Sequence, residues 1–311
     1  MEDSWRGIID LGMIHPMIYP GVAGGDGPIV ETVTRFAEDD FFTLLEVTRM
    51  NDAAVRDEVR KISEISGLRL GFSAQPGLLG GGLNLADLDD AGRKDAVANI
   101  CGSLDQAYEL GCITFALFDG KNSNVGEAKK ADAVKALETS LMEIFDYAEA
   151  NGDGDAIPIS LEQFDSEIDK KSLIGPTEDA VRLATRMRQH YPSFGIMVDH
   201  SHLPLLHVQP RGVLNAVGGL MFHAHLGSAV IKEGAPNYGD NHPNYHFEYS
   251  VNHVHELKEF LGALDESGFF DRPTPTPLPI VSFEMKPFED QPAELVIAGT
   301  KRVFREAWAL A

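Results

Sequence analysis

Short apolar, β-rich runs alternate with segments of helical spacing along the whole chain, and this alternation restricts the fold more than any other feature. Each run is followed by a segment whose apolar residues recur every three or four positions, which is typical of βα units around a parallel sheet. Eight runs have the length and composition of buried strands. They are residues 8–13, 43–48, 69–73, 113–118, 157–163, 195–199, 220–226 and 280–285.

The segment after the second run shows the helical signal clearly. Val55, Val59 and Ile62 repeat at helical spacing, so they would share one buried face. Asn51 has the side chain of an N-cap residue, and Gly67 follows the last periodic position. These signals predict a helix between Asn51 and Gly67.

Eight βα units, with no Pro/Ser-rich linker that would divide them, favour a closed (β/α)8 barrel, the TIM barrel, over an open doubly wound sheet. The chain has 311 residues, of which 43% are hydrophobic and 24% are charged. This length and composition suit one large barrel core, since such barrels run to about 250 residues before insertions. We therefore expect a single domain over residues 1–311.

Net charge limits the classes of partner. The chain has 26 Lys and Arg residues against 48 Asp and Glu residues, a formal charge of −22. Nucleic acid and anionic membrane surfaces are therefore electrostatically unfavourable partners. The first residues do not combine a basic segment with an apolar stretch, and nowhere do 18 apolar residues run together. We expect a cytoplasmic protein.

The last four predicted strands each end in a residue that a purely structural strand would not require. Glu162, Asp199, His225 and Glu284 stand at or near the ends of strands five to eight. In a barrel of this type the active site lies at the carboxyl ends of the strands. The four side chains are therefore expected to meet at one mouth of the barrel.

Three carboxylates and an imidazole at one mouth would repel each other and lose hydration unless a cation lay between them. One divalent metal resolves this conflict, and Mn²⁺ is the ion that we expect first, with Mg²⁺, Co²⁺ or Zn²⁺ as alternatives. His223 shares a strand face with His225, and it either orients a ligand or packs inside the barrel.

The pattern Asp199-x-x-His202, followed by His225, resembles the xylose-isomerase-like superfamily. That superfamily contains sugar isomerases and epimerases, inosose dehydratases and metal-dependent abasic-site endonucleases, and the spacing here is similar to that of ketose 3-epimerases. The resemblance implies that Glu162, Asp199, His225 and Glu284 bind the metal and that His202 contacts the substrate. The strong negative charge disfavours the endonuclease branch.

The chain departs from the epimerase pattern in two places. Epimerases of this kind carry a substrate-binding Arg shortly after the metal His, where this chain has only Lys232. The connection from His225 to Glu284 is also longer than in those enzymes, and it contains the unusual segment 238–245 with His242. We expect an extended loop after strand seven that closes over the ligand, contacts a partner subunit or is a surface excursion.

The resemblance implies a reaction in which the metal stabilises an enediolate of a ketose or related carbohydrate. Glu162 and Glu284 are the expected catalytic pair, one removing a proton and the other returning it. Six further residues are expected to bind or surround the substrate: His202, Lys232, Lys286, His242, Glu46 and His15.

Two other functions remain open at this stage. The same site can act as a lyase, either as the large subunit of a C-glycoside deglycosidase acting on 3-oxo-glycosides or as an inosose-type dehydratase. A non-catalytic sugar-binding barrel is the third alternative, although all four metal ligands are present. We expect a small-molecule carbohydrate substrate and a homo-oligomer, with a small second subunit in the lyase alternative.

Overall fold

The eight predicted strands are all present in the computed structural model, which describes residues 4–152, 156–288 and 291–311. Their ends agree with the sequence prediction to within two residues. All neighbours are parallel, and the sheet closes into a barrel in the order β1 to β8. The strands are β1 (Asp10–Ile14), β2 (Leu44–Val47), β3 (Arg69–Ser73), β4 (Phe115–Leu117), β5 (Ile159–Gln163), β6 (Phe194–Asp199), β7 (Met221–Leu226) and β8 (Ile280–Phe283).

Helices follow every strand and cover the outside of the barrel. Three of them, α1, α4 and α8, are short segments that stand directly after strands, before the longer helix of the same unit. The helices are α1 (His15–Ile18), α2 (Ile29–Ala37), α3 (Ala53–Ser66), α4 (Gln75–Gly81), α5 (Asp90–Leu110), α6 (Glu127–Asn151), α7 (Thr177–Met187), α8 (His202–Leu205), α9 (Pro210–Val217), α10 (Val254–Glu266) and α11 (Ala293–Leu310). The predicted (β/α)8 barrel is confirmed.

Helix α3 begins one residue later than the sequence prediction. Asp52, and not Asn51, is the N-cap, because its side chain accepts a hydrogen bond of 2.8 Å from the backbone N–H of Ala54. The amide of Asn51 instead donates to Asp26, which lies in the loop before α2. The predicted stop is confirmed, since Gly67 has a φ of 76°, a left-handed conformation that glycine adopts without strain.

The strands are buried on both faces, as expected for a parallel sheet that is covered by helices outside and filled with side chains inside. Their buried residues are mainly apolar, but the carboxyl ends of several strands carry buried polar side chains, including Glu46, Glu162 and Asp199. A group of buried polar side chains therefore lies at the carboxyl end of the barrel.

The connection between β7 and α10, residues 227–253, is the extended loop that the sequence predicts. Its far end is tied back to its start, because the amide of Asn252 donates a 2.9 Å hydrogen bond to the carbonyl of Gly227. Its middle is tied to the segment after β8, because the backbone N–H of Lys286 donates to the carbonyl of His242 at 2.8 Å. The loop therefore folds back across the mouth of the barrel.

None of the helices in the described ranges combines the length and the apolar character needed to cross a membrane.

Candidate metal centre

Four polar side chains from successive strand ends meet at the mouth of the barrel. Glu162 lies in β5, Asp199 ends β6, His225 lies in β7, and Glu284 directly follows β8. Each offers one ligand atom, and these atoms all lie within 4.8 Å of one another. The topology explains the meeting, since the carboxyl ends of neighbouring parallel strands converge at one rim.

The imidazole of His225 lies between the three carboxylates. Its Nδ1 is 2.9 Å from Oε2 of Glu284, 3.7 Å from Oε1 of Glu162 and 4.0 Å from Oδ2 of Asp199. The side chains are buried except for Glu284, which keeps 13% of its side-chain surface exposed. Little water is therefore present to screen the mutual repulsion of the acids.

The pKa of Glu162 reflects this repulsion. Burial first, and then the negative charge of Glu284, raises the pKa of Glu162 to about 8. Burial also acts to raise the pKa of Asp199, but the charges of His202, His242 and His225 outweigh it and hold that pKa below its ordinary value. The pKa values of Glu162 and Asp199 are therefore shifted in opposite directions within one cluster.

Two buried carboxylate oxygens of this cluster, Oε1 of Glu162 and Oδ2 of Asp199, have no hydrogen-bond partner among the described residues. Leaving such atoms unpaired is costly, so they indicate a missing positive group. Three hard oxygen donors and one imidazole nitrogen match the preferences of Mn²⁺, Mg²⁺, Co²⁺ and Zn²⁺. The residues present therefore fit a divalent metal.

Glu46 lies against the His225 ring of this cluster. Its Oε1 is 2.8 Å from Nε2 of His223 and 3.3 Å from Nε2 of His225, and its Oε2 accepts from the hydroxyl of Ser73. The sequence predicts Glu46 as a residue that surrounds the substrate, and it is not among the residues that line the cavity at this site. Its carboxylate instead fixes the orientation of the His225 ring, with His223 beside it.

A cavity of about 380 Å³ opens at this cluster of side chains. Of the residues predicted to bind substrate, His242 and Lys286 contribute to its lining, together with Glu162 and Glu284. The volume falls in the range of small-molecule sites. The cavity therefore brings the predicted catalytic pair and two predicted substrate residues together.

His202 is buried beside this cavity and does not contribute to its lining. Its Nδ1 lies 2.9 Å from the carbonyl oxygen of Gln163, and its ring packs on the ring of Phe164 with centroids 4.3 Å apart. Its Nε2 points toward Asp240, 3.2 Å away. The predicted role of His202 as a substrate contact is therefore not favoured by its position.

Two other predicted substrate residues lie outside the cavity. Lys232 is exposed, and its ammonium lies over the ring of Tyr249, 4.9 Å from the centroid. His15 is buried in α1, with Nε2 2.8 Å from the hydroxyl of Thr32, and burial lowers its pKa to about 3. Neither side chain is among the residues that line the cavity, and both substrate-binding roles stay predictions.

The site also contains three residues that were not predicted from the sequence to belong to it. The amide of Gln75 donates a 2.8 Å hydrogen bond to Oε2 of Glu162. Asp240 lies between the histidines, and the ammonium of Lys170 is 2.7 Å from its Oδ2. Gln75 and Asp240 belong to segments that interrupt the βα alternation, which is the signal that could have found them. Lys170 carries no comparable signal.

The fold is a (β/α)8 barrel, and its strand ends bring together side chains that could hold a metal ion. The chain belongs to the family described as xylose isomerase-like TIM barrel, whose model matches residues 31–296. No curated protein has a significantly similar sequence.

Solved structures of several sugar epimerases share this fold at low sequence identity. A D-tagatose 3-epimerase-like protein has a TM-score of 0.70 at 15% identity, over 97% of this chain and 98% of its own. An L-ribulose 3-epimerase has a TM-score of 0.68 at 15% identity, over 97% and 98%. The 3-keto-D-glucoside 4-epimerase of E. coli has a TM-score of 0.67 at 15% identity, over 95% and 99%.

Proposed function

We propose that this protein is a divalent-metal-dependent sugar isomerase or epimerase that acts on a ketose or a related carbohydrate. Family membership and the fold shared with several ketose epimerases support a carbohydrate enzyme of this class. The cluster of Glu162, Asp199, His225 and Glu284 supports the metal dependence. Mn²⁺ is our first choice of metal, followed by Mg²⁺, Co²⁺ and Zn²⁺.

One observation carries the proposal more than any other. Glu162 and Glu284 come from strands that are not neighbours, yet both line the same cavity. Asp199 and His225 lie on the two strands between them. Two carboxylates that line one cavity and belong to one metal-type cluster can serve as the two acid–base groups of an epimerase.

When bound, the divalent cation would polarise the carbonyl of a hydroxy-ketone and offset the negative charge that develops on its oxygens. One glutamate then removes the proton from the adjacent C–H, which leaves an enediolate. The other glutamate returns a proton to the opposite face of that carbon and inverts it. Gln75 orients Glu162 through its 2.8 Å hydrogen bond, and Nδ1 of His225 lies 2.9 Å from Glu284.

The residues best placed to position the sugar are His242 and Lys286, which line the cavity. Within the described residues, the ammonium of Lys286 has no ion-pair partner, so it is free to donate to a substrate oxygen. Lys170 also reaches the lining, although its charge is shared with Asp240.

A lyase on the same site is the second candidate. One wall of the cavity is apolar, formed in part by Met17, Leu79 and Phe164, and such a wall suits a substituent bulkier than a free sugar. One protein of similar fold is an epimerase of a 3-keto-glucoside. An enediolate next to a β-substituent can expel it, as in a C-glycoside deglycosidase acting on 3-oxo-glycosides or in an inosose-type dehydratase.

A single domain over residues 1–311, a cytoplasmic location and a homo-oligomeric assembly are part of the same proposal, with a small second subunit in the lyase case. Light scattering of the purified protein and analysis of co-purifying polypeptides test the assembly. A second polypeptide of constant stoichiometry would favour the lyase.

The deciding experiment measures exchange of substrate C–H protons with solvent deuterium, using metal-depleted and Mn²⁺-loaded protein over a panel of ketoses and 3-oxo-glycosides. We expect exchange that requires metal on at least one ketose, with formation of its epimer or isomer. Exchange accompanied by loss of water or an aglycone would select the lyase. Sugar binding without metal-dependent exchange on any substrate would reject both enzymatic functions.

A further inference from the structure

A groove of about 420 Å³ lies at the end of the barrel where the strands begin, the amino end. Its lining comes from the residues before β1, from the end of α10 with the connection that follows it, and from the last turn of α11. Helices between parallel strands run back from the carboxyl end to the amino end, so these three segments meet there. The groove is therefore separate from the cavity of the proposed reaction.

The lining of the groove is mainly apolar and includes two aromatic rings. The rings of Phe270 and Trp308 pack edge to face with their centroids 5.5 Å apart, and both side chains are only partly buried. Leu261 and Ile8 contribute to the same lining, and Ile8 keeps 37% of its surface exposed. A concave apolar surface of this size that stays open to solvent is typical of a binding site.

One position of the lining, Gly262, is a glycine within helix α10. Glycine weakens the interior of a helix. Apart from its own helix backbone and its chain neighbours, no described atom lies within 4 Å of the point that a Cβ would occupy. The packing of the described residues therefore does not require glycine here. Its lack of a side chain keeps this part of the groove open, as is expected where a ligand approaches the backbone.

Two exposed carboxylates, Asp265 and Asp271, give the groove its charge. Asp265 lies one turn after Leu261, on the same face of α10. Within the described residues neither carboxylate forms an ion pair, and no lining side chain among them is cationic. Carboxylates and the faces of aromatic rings both attract positive charge. The groove is therefore complementary to a cation that has an apolar body.

We propose that this groove binds a small organic cation, an amine with an aromatic or aliphatic body. The body lies against Leu261 and Ile8, and the ammonium lies near the aromatic rings and the two carboxylates. This binding site is additional to the candidate metal centre, and its occupation does not depend on the proposed reaction.

The tryptophans of the chain make binding measurable. Of the two tryptophans, Trp5 is fully buried and Trp308 lines the groove, so the emission of a Trp5→Phe protein reports on the groove alone. The protein is titrated with phenethylamine, 2-phenylethanol and phenylacetate, which share a ring and differ in charge. We expect a saturable change in emission, an affinity for the amine about tenfold above that for the alcohol, and no binding of phenylacetate. Equal affinity for the alcohol, or no saturable change, would overturn the proposal.

Two charge-matched double variants assign binding to the carboxylates. Asp265→Asn with Asp271→Asn removes both charges of the groove. Asp57→Asn with Asp132→Asn removes two exposed charges elsewhere, on α3 and α6. In the Trp5→Phe background, the first pair should lower the affinity for phenethylamine to about that for 2-phenylethanol, and the second should leave it unchanged. An equal loss in both pairs would show that only net charge attracts the amine, against the proposal.

A pair of glycine variants separates the groove from the stability of its helix. Gly262→Ala places a methyl group in the groove, and Gly102→Ala makes the same exchange at an exposed position within α5. Alanine favours a helix over glycine, so both variants should keep or raise the Tm. We expect only Gly262→Ala to weaken the binding of phenethylamine, by about tenfold. Unchanged binding in folded Gly262→Ala would contradict the position of the site.

A second copy of the chain is the competing occupant of an open apolar groove. Sedimentation of the Trp5→Phe protein, beside the emission of Trp308, tests this alternative. We expect emission that responds to the amine and does not change with protein concentration. Emission that follows self-association and ignores the amine would identify a subunit interface and overturn the proposal. None of these measurements depends on metal content or turnover, so the proposed function and this site fail or stand separately.

Discussion

The two ends of the barrel differ in the kind of side chain that they bury. At the amino end, Trp5 and Phe41 precede the first two strands and pack with Phe304 of α11, with the ring centroid of Trp5 5.1 Å from each of the other two. All three side chains are almost fully buried. At the carboxyl end, buried carboxylates repel one another, and several of their oxygens have no hydrogen-bond partner within the part of the chain that the structure describes.

This contrast separates the source of stability from the source of activity. Edge-to-face aromatic contacts and buried apolar area stabilise the amino end. The carboxyl end costs stability in the metal-free protein, because it places like charges together in a poorly hydrated place. Perturbed pKa values of this kind cluster at functional sites, so the conflict at one end indicates where chemistry occurs.

The largest expected effect is the loss of turnover on neutralising either glutamate of the proposed catalytic pair. Glu162→Gln and Glu284→Gln each remove a proton acceptor, so we expect kcat to fall by about 10²–10⁴-fold. The metal-free Glu162→Gln protein should be at least as stable as the parent, since it loses a buried carboxylate. Near-normal kcat in both variants would show that the carboxyl end does not supply the catalytic pair. A large loss of stability would show that this end also stabilises the fold.

The reverse pattern is expected at the amino end. Trp5→Ala should lower the free energy of unfolding by about 3–5 kcal/mol, because it leaves a cavity between Phe41 and Phe304. Urea unfolding measures this loss, and Trp5→Phe serves as the control with a smaller cavity. The metal content and kcat of folded Trp5→Ala protein should match those of the parent. A loss of metal would show that the ends are coupled.

Metal binding is expected to stabilise the carboxyl end. At a Mn²⁺ concentration of about 100 times its Kd, one site adds about 2.7 kcal/mol to the free energy of unfolding. Thermal unfolding with and without excess chelator measures the change as a shift in Tm. Glu284→Gln should show a smaller shift than Trp5→Phe, which keeps all four ligands. Equal shifts in these variants would argue against Glu284 as a ligand.

Two buried histidines with lowered pKa values, His200 and His15, should each cost stability when acid protonates them. Burial lowers the pKa of His200, stacked on Phe260, to about 3, as it does for His15. Because the unfolded histidine has a pKa near 6.5, this stability is full above that pH and is lost as the pH falls toward 3. At pH 5 each histidine costs about 2 kcal/mol.

Urea unfolding between pH 8 and pH 5 measures this loss, and His200→Phe keeps the stacked ring while removing the titration. A pH dependence as steep in His200→Phe as in the parent would contradict the assignment.

The smallest effect is expected for Lys232, on the outer part of the long loop. Lys232→Met removes a charge that lies over Tyr249 but does not reach the cavity. Stability should change by less than about 0.5 kcal/mol, and kcat/KM should stay within experimental error of the parent value. A clear rise in KM would restore Lys232 as a substrate residue and show that the loop rearranges on binding.

The sequence alone determined the architecture, because apolar periodicity is a local property that can be read directly from the order of residues. The strands, their parallel order and the barrel follow from eight repeated patterns, and Glu162, Asp199, His225 and Glu284 follow from the rule that barrel strands end at the site. One local detail was wrong, the N-cap of α3, since Asn51 and Asp52 are both suitable caps and tertiary contacts decide between them.

Only the tertiary structure decided which other polar residues reach the site. Lys170 lies 70 positions before Asp240 in the sequence, yet their side chains are in contact. Glu46 is likewise distant from His225 in the sequence, yet its carboxylate contacts the His225 ring. His15 and Lys232 have equally suitable side chains but point elsewhere. Such contacts depend on how loops fold across the barrel mouth, and loop paths are set by long-range packing and hydrogen bonds that no local pattern records.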